Sequence, residues 1–395
     1  MGEAGRAERG CRAPDARYGI ALAETQTQPV AVASSETPDA VAPPPRHPRF
    51  PLIDGVRAIA VLSVLVSHAA AAGGLGDDSP GGRFVGHLNV GVAIFFVISG
   101  FLLFRPFIAG RTGGPSAPAT ATYAKRRVLR IYPAYWLALT LLVVVPGVTG
   151  VYGGEWAQQY ALVQWLPLGD GSGCTGLGTG CGLAQTWSLV VEVTFYAVLP
   201  VYVLATSRLA AGRSASRWMW AQFALLAVLA AGSLLLPVVN PQEGPRTWVD
   251  GSFLGYWVWF GLGMAIAVAS VAFEKRELPA PLRLVASHPE VPWLAALAAY
   301  VVLSLTTPSG FGVTELQGRI THLAFGVIGA LILLPAVFGD AQGGVPRRFL
   351  ANRAVAWLGL ISYGIFLWHF VATLELGAAG EGWGVGGVLA GTLAV

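Results

Sequence analysis

The sequence has little charge and very little lysine. Asp, Glu, Lys and Arg make up 12% of the 395 residues, and lysine occurs only at Lys125 and Lys275. A soluble domain carries roughly twice that share of charged residues. The net charge of +4 comes from short basic clusters between apolar segments. This arrangement excludes a nucleic-acid-binding face and favours the loops of a membrane protein.

Cysteine is also scarce, with only Cys11, Cys174 and Cys181 in the chain. Three cysteines are too few for a disulfide scaffold, and their spacing fits no four-ligand zinc site, so no metal is predicted. Cys174 and Cys181 lie in the longest loop predicted on the outer side of the membrane. An oxidising exterior favours a disulfide between them, and two free thiols are the open alternative.

The apolar residues, 54% of the chain, are grouped into segments of membrane-spanning length. A hydrocarbon core about 30 Å thick requires about 20 apolar residues per helix. The segments predict an all-α polytopic membrane protein with about ten transmembrane helices and a truncated last helix, forming one domain over residues 51–395. They are residues 55–75, 88–104, 131–150, 187–206, 218–238, 253–273, 291–306, 319–338, 355–375 and 384–395.

Residues 1–50 contain no apolar core of signal-peptide length, and they predict a disordered cytoplasmic tail. Basic residues concentrate in every second loop, as in residues 105–130, 208–217, 275–283 and 347–353. By the positive-inside rule this alternation predicts a cytoplasmic N-terminus. It also places Arg57 near the inner end of the first span and His68 in its outer half.

Arg57 and His68 are the first candidates for functional residues. They stand eleven residues apart with no charged residue between them. On a helix this spacing returns to nearly the same face about 16 Å further along the axis. An ionisable group inside a membrane span is costly, so it usually faces a cavity or a partner. His68 is therefore the first candidate for a catalytic base.

Two further stretches have both a structural and a functional interpretation. Ser99 and Gly100 are small residues that favour close packing of helices in lipid. Arg127 and Arg130 lie about one turn apart, and this cluster serves equally as the positive-inside signal of the third span. Alternatively, their guanidinium groups bind phosphate, either of a cytosolic ligand or of an anionic lipid.

The fourth and ninth segments carry the other polar candidates. Ser188, Glu192 and either Phe195 or Tyr196 share one helix face below Trp187. Glu192 either makes an interhelical hydrogen bond or orients His68 or a bound hydroxyl. Trp368 and His369 fit an aromatic belt at the membrane interface, with His369 as its polar tip.

Five stretches in this order resemble the acyltransferase-3 family of membrane proteins. They are Arg57 with His68, Phe95 to Phe101, Arg127 with Arg130, Trp187 to Tyr196, and Ser362 to His369. The resemblance covers residues 50–395 and implies a ten-span protein of a bacterial cytoplasmic membrane. Such proteins move acyl groups onto extracytoplasmic carbohydrates and other hydroxylated acceptors. Some relatives continue into a soluble esterase-like domain, so the acceptor stays open.

The resemblance also implies roles for these residues. An acyl-CoA donor, acetyl-CoA by default, would bind at Arg127, Arg130, Ser99 and Gly100, with no permanently bound cofactor. His68 would act as general base, assisted by Glu192 and Arg57. A carbohydrate or glycosylated metabolite would bind at Trp187, Ser188, Tyr196 and His369.

The residues also allow functions other than acyl transfer. The alternatives are a transporter or flippase that uses Arg57, His68 and Glu192 as a proton relay, and a non-catalytic membrane scaffold. The sequence also leaves open the acyl group, direct transfer against an acyl-enzyme, and the oligomeric state.

Overall fold

The computed structural model describes residues 50–75, 79–114, 117–144, 156–163, 183–209, 214–235, 253–309, 314–379 and 384–394. Within these ranges the regular structure is helical and includes no β-strand, which confirms the all-α class. Residues 1–49 of the predicted tail and the Cys174–Cys181 pair lie outside the described residues.

Helices account for each of the predicted apolar segments. In the first half they are α1 Ile53–Ala72, α2 Pro80–Gly86, α3 Val90–Arg111, α4 Thr120–Val144, α5 Trp156–Ala161, α6 Trp187–Leu209 and α7 Ala215–Leu235. In the second half they are α8 Trp257–Ala272, α9 Ala280–Ser287, α10 Glu290–Thr306, α11 Glu315–Val337, α12 Gly344–Leu350, α13 Arg353–Leu360, α14 Ser362–Ala379 and α15 Gly384–Ala394.

Fewer than ten helices of the described residues have the length and apolarity expected of a membrane span. Among the described residues, 5 helical stretches are long and apolar enough to cross a membrane, or up to 7 if each bent helix pair counts as one span. The bent pairs are α9 with α10, at 97°, and α13 with α14, at 71°. Helix α8 has only 16 residues, fewer than a bilayer requires. The predicted count of about ten is therefore not confirmed.

Glycines allow α3 and α8 to pack with their backbones in contact. A side chain at Gly100 would meet the backbone of Phe260, and one at Gly263 would meet the backbone of Val97. Close approach through small residues is a general means of helix association in lipid. The contact accounts for Gly100 by packing, and its predicted part in donor binding stays a prediction.

The Gly263→Ala variant is expected to lose stability, because its new methyl group would overlap the Val97 carbonyl. Forcing such a group into a filled contact costs about 2 kcal/mol. Thermal unfolding of the purified protein in detergent measures this loss as a lower melting temperature. Gly232→Ala, in α7, is the matched control because nothing lies within 4 Å of its added carbon. Equal melting temperatures for the two variants would contradict the contact.

Arg347 donates hydrogen bonds to the C-terminal ends of two helices, α9 and α11. Its side chain is 1% exposed, although its position favoured a cytoplasmic loop charge. It donates to the carbonyls of Val285 and Ala286 at the end of α9, over 3.0 and 3.1 Å. It also donates to Pro335 and Phe338 at the end of α11, over 2.9 and 2.5 Å. One guanidinium thus satisfies carbonyls that helix ends leave unpaired.

Candidate active site

Two histidines from distant parts of the chain form a hydrogen-bonded pair. His68 Nδ1, on α1, lies 2.8 Å from His369 Nε2, on α14. The rings are nearly parallel, with an angle of 8° between their planes. The edge of Phe370 packs against His68, with the ring centroids 5.2 Å apart. Both histidines were candidates from sequence, but their contact was not predicted.

The backbone around His369 assigns the protons of the pair. His369 Nδ1 lies 2.8 Å from the Phe366 carbonyl and 3.0 Å from the Ile365 carbonyl. A carbonyl only accepts, so His369 Nδ1 carries a proton and, in the neutral ring, Nε2 accepts. His68 Nδ1 must then donate, which leaves His68 Nε2 with its lone pair. Among the described residues, this atom has no hydrogen-bond partner.

The interior position of His369 differs from the predicted interfacial belt. Trp368 is 38% exposed, as a belt residue would be, but His369 is only 3% exposed. Because neighbouring side chains on a helix point about 100° apart, one can face lipid while the next faces the bundle. The belt thus fits Trp368, and His369 belongs to the interior.

A second polar cluster is centred on the Glu192 carboxylate of α6. Ser99 Oγ, on α3, donates to Glu192 Oε1 over 2.5 Å, and the Tyr196 hydroxyl donates to the same oxygen. The Arg127 guanidinium lies over the Tyr196 ring, 5.8 Å from its centroid. The charges of Glu192 and Arg130 also act on Arg57. These residues form what we call the carboxylate cluster.

Packing of α1 against α3 places the carboxylate cluster at the Arg57 end of α1. A side chain at Gly91 would meet Ala60 and Val64, and the rings of Phe50 and Phe101 lie 5.0 Å apart. The two helices therefore run antiparallel. Ser99, two residues before Phe101, lies toward the N-terminal end of α1, and His68 lies toward the other end.

Glu192 is consequently not a partner of His68, contrary to the expected proximity of the two. The expectation assumed that α6 begins at the outer surface of the membrane. Instead, its start is buried, with Gln185 4% and Ser188 6% exposed. Gln185 Nε2 donates to the Leu367 carbonyl within α14, over 2.9 Å. Glu192 instead makes the interhelical hydrogen bond that was the alternative expectation, to Ser99 of α3.

The arginines differ in their surroundings. Arg57 forms an ion pair with Asp54, at 3.5 Å, and Arg130 is exposed. Arg127 is half-buried, and its Nε makes no hydrogen bond with any described residue. Arg126 and Arg127 both reach an open cavity of about 190 Å³. The cavity is lined by Leu102, Leu103, Pro106, Pro118, Tyr123, Arg126 and Arg127.

Arg126 lines this cavity but was not predicted from the sequence, because the motif spacing indicated only Arg127 and Arg130. Tyr123, one turn before Arg127 in α4, was also missed. Its hydroxyl donates to the Tyr196 carbonyl over 3.3 Å and so joins the cavity wall to the carboxylate cluster. Two guanidinium groups beside a cavity are suited to bind phosphate.

Trp187 and Ser188 make local contacts at the start of α6. The Ser188 hydroxyl donates to the Gln185 carbonyl over 3.2 Å, and the Trp187 ring packs on Tyr256 with centroids 5.3 Å apart. Their predicted role in acceptor binding stays a prediction. In the part of the chain that the structure describes, no three His, Cys, Asp or Glu side chains group as metal ligands would.

The model of one family, described as an acyltransferase domain, matches residues 50–395. The chain belongs to the acyltransferase-3 family. This result confirms the resemblance drawn from the five motifs, and it supports an acyltransferase. Acyltransferase-3 relatives from bacteria, taken together with the apolar helices, support a multi-pass bacterial membrane protein.

Three relatives in the acyltransferase-3 family illustrate its range. YrhL of Bacillus subtilis is 25% identical over 338 residues, covering 82% of this chain and 48% of that protein. Nodulation protein 10 of Rhizobium leguminosarum is 26% identical over 368 residues, 84% of this chain and 85% of that protein. The peptidoglycan O-acetyltransferase OatA of Listeria monocytogenes is 23% identical, with coverages of 81% and 49%.

The chain thus spans about half the length of YrhL and OatA. No solved structure matches the chain.

Proposed function

We propose that this protein is a membrane O-acyltransferase that moves an acyl group, acetyl by default, from cytoplasmic acyl-CoA to a hydroxyl on the other side of the membrane. The acceptor is a carbohydrate or a glycosylated metabolite. The N-terminus lies in the cytoplasm, and the carboxylate cluster faces the cytoplasmic side. His68 acts as the general base, at the outer end of α1.

The observation that carries this proposal is the free lone pair of His68 Nε2. His369 holds the opposite nitrogen of the ring through a 2.8 Å hydrogen bond. A base whose orientation and tautomer are held by a second group is the usual arrangement for activating a hydroxyl nucleophile. His68 takes the proton of the acceptor hydroxyl while the hydroxyl oxygen attacks the thioester carbonyl. The carbon–sulfur bond then breaks, and the departing thiolate of CoA takes that proton from His68.

Donor binding is assigned to the arginine side of the molecule. The cavity beside Arg126 and Arg127 would hold phosphates of acyl-CoA, since guanidinium groups pair with phosphate oxygens. Arg57 and His68 are separated by about 16 Å along α1. The long thin arm between the phosphates and the thioester would cover this separation. Donor and acceptor would then meet without either crossing the bilayer completely.

The name of OatA supports a carbohydrate acceptor, since peptidoglycan is a glycan polymer. A transporter is less favoured, because its proposed relay is not continuous in the structure. No described hydrogen bond joins His68 to Glu192 or to Arg57. Family membership points to acyl transfer as well.

Mass spectrometry of surface glycans and secreted glycosides tests the proposed function. Cells expressing the wild type, His68→Ala or no protein are compared, with expression verified in membranes. We expect an acyl mass increment only with the wild type, and its mass identifies the acyl group. Identical glycans and glycosides in all three strains, together with a proton flux that requires the wild type, would favour the transporter.

A further inference from the structure

We infer that Glu192 is a binding residue for the donor arm: its free carboxylate oxygen accepts an amide N–H of the pantetheine arm, while Ser99 and Tyr196 position it. This inference rests on the proposed function and gives Glu192 a role other than orienting His68. The bound group would be the amide nearer to the phosphates, because the carboxylate cluster lies at the arginine end of the bundle.

The hydrogen bonds of Glu192 are concentrated on one oxygen. Ser99 and Tyr196 both donate to Oε1. A carboxylate offers about four lone-pair sites on its two oxygens. No described residue donates to Oε2, although the side chain is only partly exposed. Two donors on one oxygen hold the group in a fixed orientation with the other oxygen available to a ligand.

The neighbouring arginines do not occupy that oxygen. Neither Arg57, Arg127 nor Arg130 forms an ion pair with Glu192 in the described structure. The described side chains around Glu192 therefore leave its second oxygen, Oε2, available to an N–H donor of a ligand.

The position of the carboxylate cluster is suited to the pantetheine arm of the donor, and not to its phosphates or its thioester. A carboxylate repels phosphate, so Glu192 would oppose the donor's charged end if the two were in contact. The cavity of about 190 Å³ is instead beside Arg126 and Arg127, and it is joined to the cluster through Tyr123. The histidine pair lies toward the other end of α1. In CoA the pantetheine arm carries two amides between the phosphates and the sulfur, which is where the cluster would meet the bound donor.

A purely structural role makes a different prediction. If Glu192 only joins α3 to α6, its loss would disturb the fold and weaken every donor fragment equally. If it binds the arm, its loss would weaken only those fragments that carry the phosphate-proximal amide. Comparison of fragments therefore separates the two roles.

The experiment measures displacement of labelled acetyl-CoA from purified protein in detergent, which requires no acceptor. The competitors are CoA, free pantetheine and N-acetylcysteamine, a fragment that lacks the phosphates and the phosphate-proximal amide. A hydrogen bond to a charged group contributes enough for about a tenfold change in affinity. We expect Glu192→Gln to bind CoA and pantetheine about tenfold more weakly, with N-acetylcysteamine unchanged. Tyr196→Phe and Ser99→Ala should show the same pattern with smaller losses.

Glu277→Gln is the matched control, because Glu277 is exposed on the loop after α8. Equal weakening of all three competitors by Glu192→Gln, or no weakening of any, would overturn the inference. If wild-type protein binds no acetyl-CoA, the proposed donor is wrong and the inference fails with it. Wild-type binding without fragment selectivity leaves the proposed function intact and rejects only the role of Glu192.

Discussion

The His68→Gln variant is expected to transfer acyl groups about a thousandfold more slowly than the wild type, because a positioned general base contributes about that factor. Glutamine keeps most of the volume of histidine but has no basic nitrogen. The rate is measured with isolated membranes supplied with labelled acetyl-CoA, by incorporation of label into the product identified by mass spectrometry. Donor affinity should change little, since His68 lies far from the arginine cavity.

His369 variants test whether the pair positions the base. His369→Phe removes the acceptor for His68 Nδ1, so His68 can rotate and change tautomer, and we expect a loss of about tenfold to a hundredfold. His369→Gln places an amide oxygen near the former Nε2 and should recover part of this rate. If His369 had only a structural role, His369→Gln would not be expected to transfer acyl groups faster than His369→Phe.

The matched control for both positions is His288→Gln, since the His288 side chain is 57% exposed. It should transfer acyl groups at the wild-type rate. Near wild-type transfer by His68→Gln would show that this residue is not the base. Equal rates for the two His369 variants would show that the hydrogen bond within the pair does not matter to the reaction.

Replacing Arg347 should have the largest effect on stability. Lysine offers three donors in place of the five of a planar guanidinium, so Arg347→Lys leaves carbonyls at the ends of α9 and α11 without partners. Each lost bond to a charged donor costs about 1.5 kcal/mol or more, and two such losses amount to about 3 kcal/mol. Thermal unfolding in detergent should show a clearly lower melting temperature, with reduced yield of folded protein in membranes.

The neighbouring residue provides the control for this substitution. Arg348 is exposed, and its Nε has one long contact, 3.4 Å from the Gly344 carbonyl. Arg348→Lys removes the same guanidinium without uncovering buried carbonyls and should melt as the wild type does. Similar melting temperatures for Arg347→Lys and Arg348→Lys would contradict the proposed contribution of the buried guanidinium.

The sequence predicted the helical class and the family because both depend on patterns along the chain. Apolar segments of bilayer length identify membrane helices, and five motifs in order identify the family. The number of spans was harder to predict. Helix length and the bends between α9 and α10 and between α13 and α14 depend on tertiary packing, and periodicity does not report them.

In the candidate site, too, the sequence identified individual residues, and the tertiary structure determined their partners. Sequence alone marked His68, His369, Glu192 and Arg127 as unusual, since polar groups within apolar spans are costly and need a partner. Only the tertiary structure paired His68 with His369, 301 positions away. It also placed Glu192 toward the Arg57 end of α1, because its carboxylate accepts from Ser99 of α3.

The physical reason is that the spacing of residues determines which of them share a face of one helix. The depth of a helix and the neighbours of that face are determined by contacts between helices. Glycines such as Gly91, Gly100 and Gly263 permit those contacts.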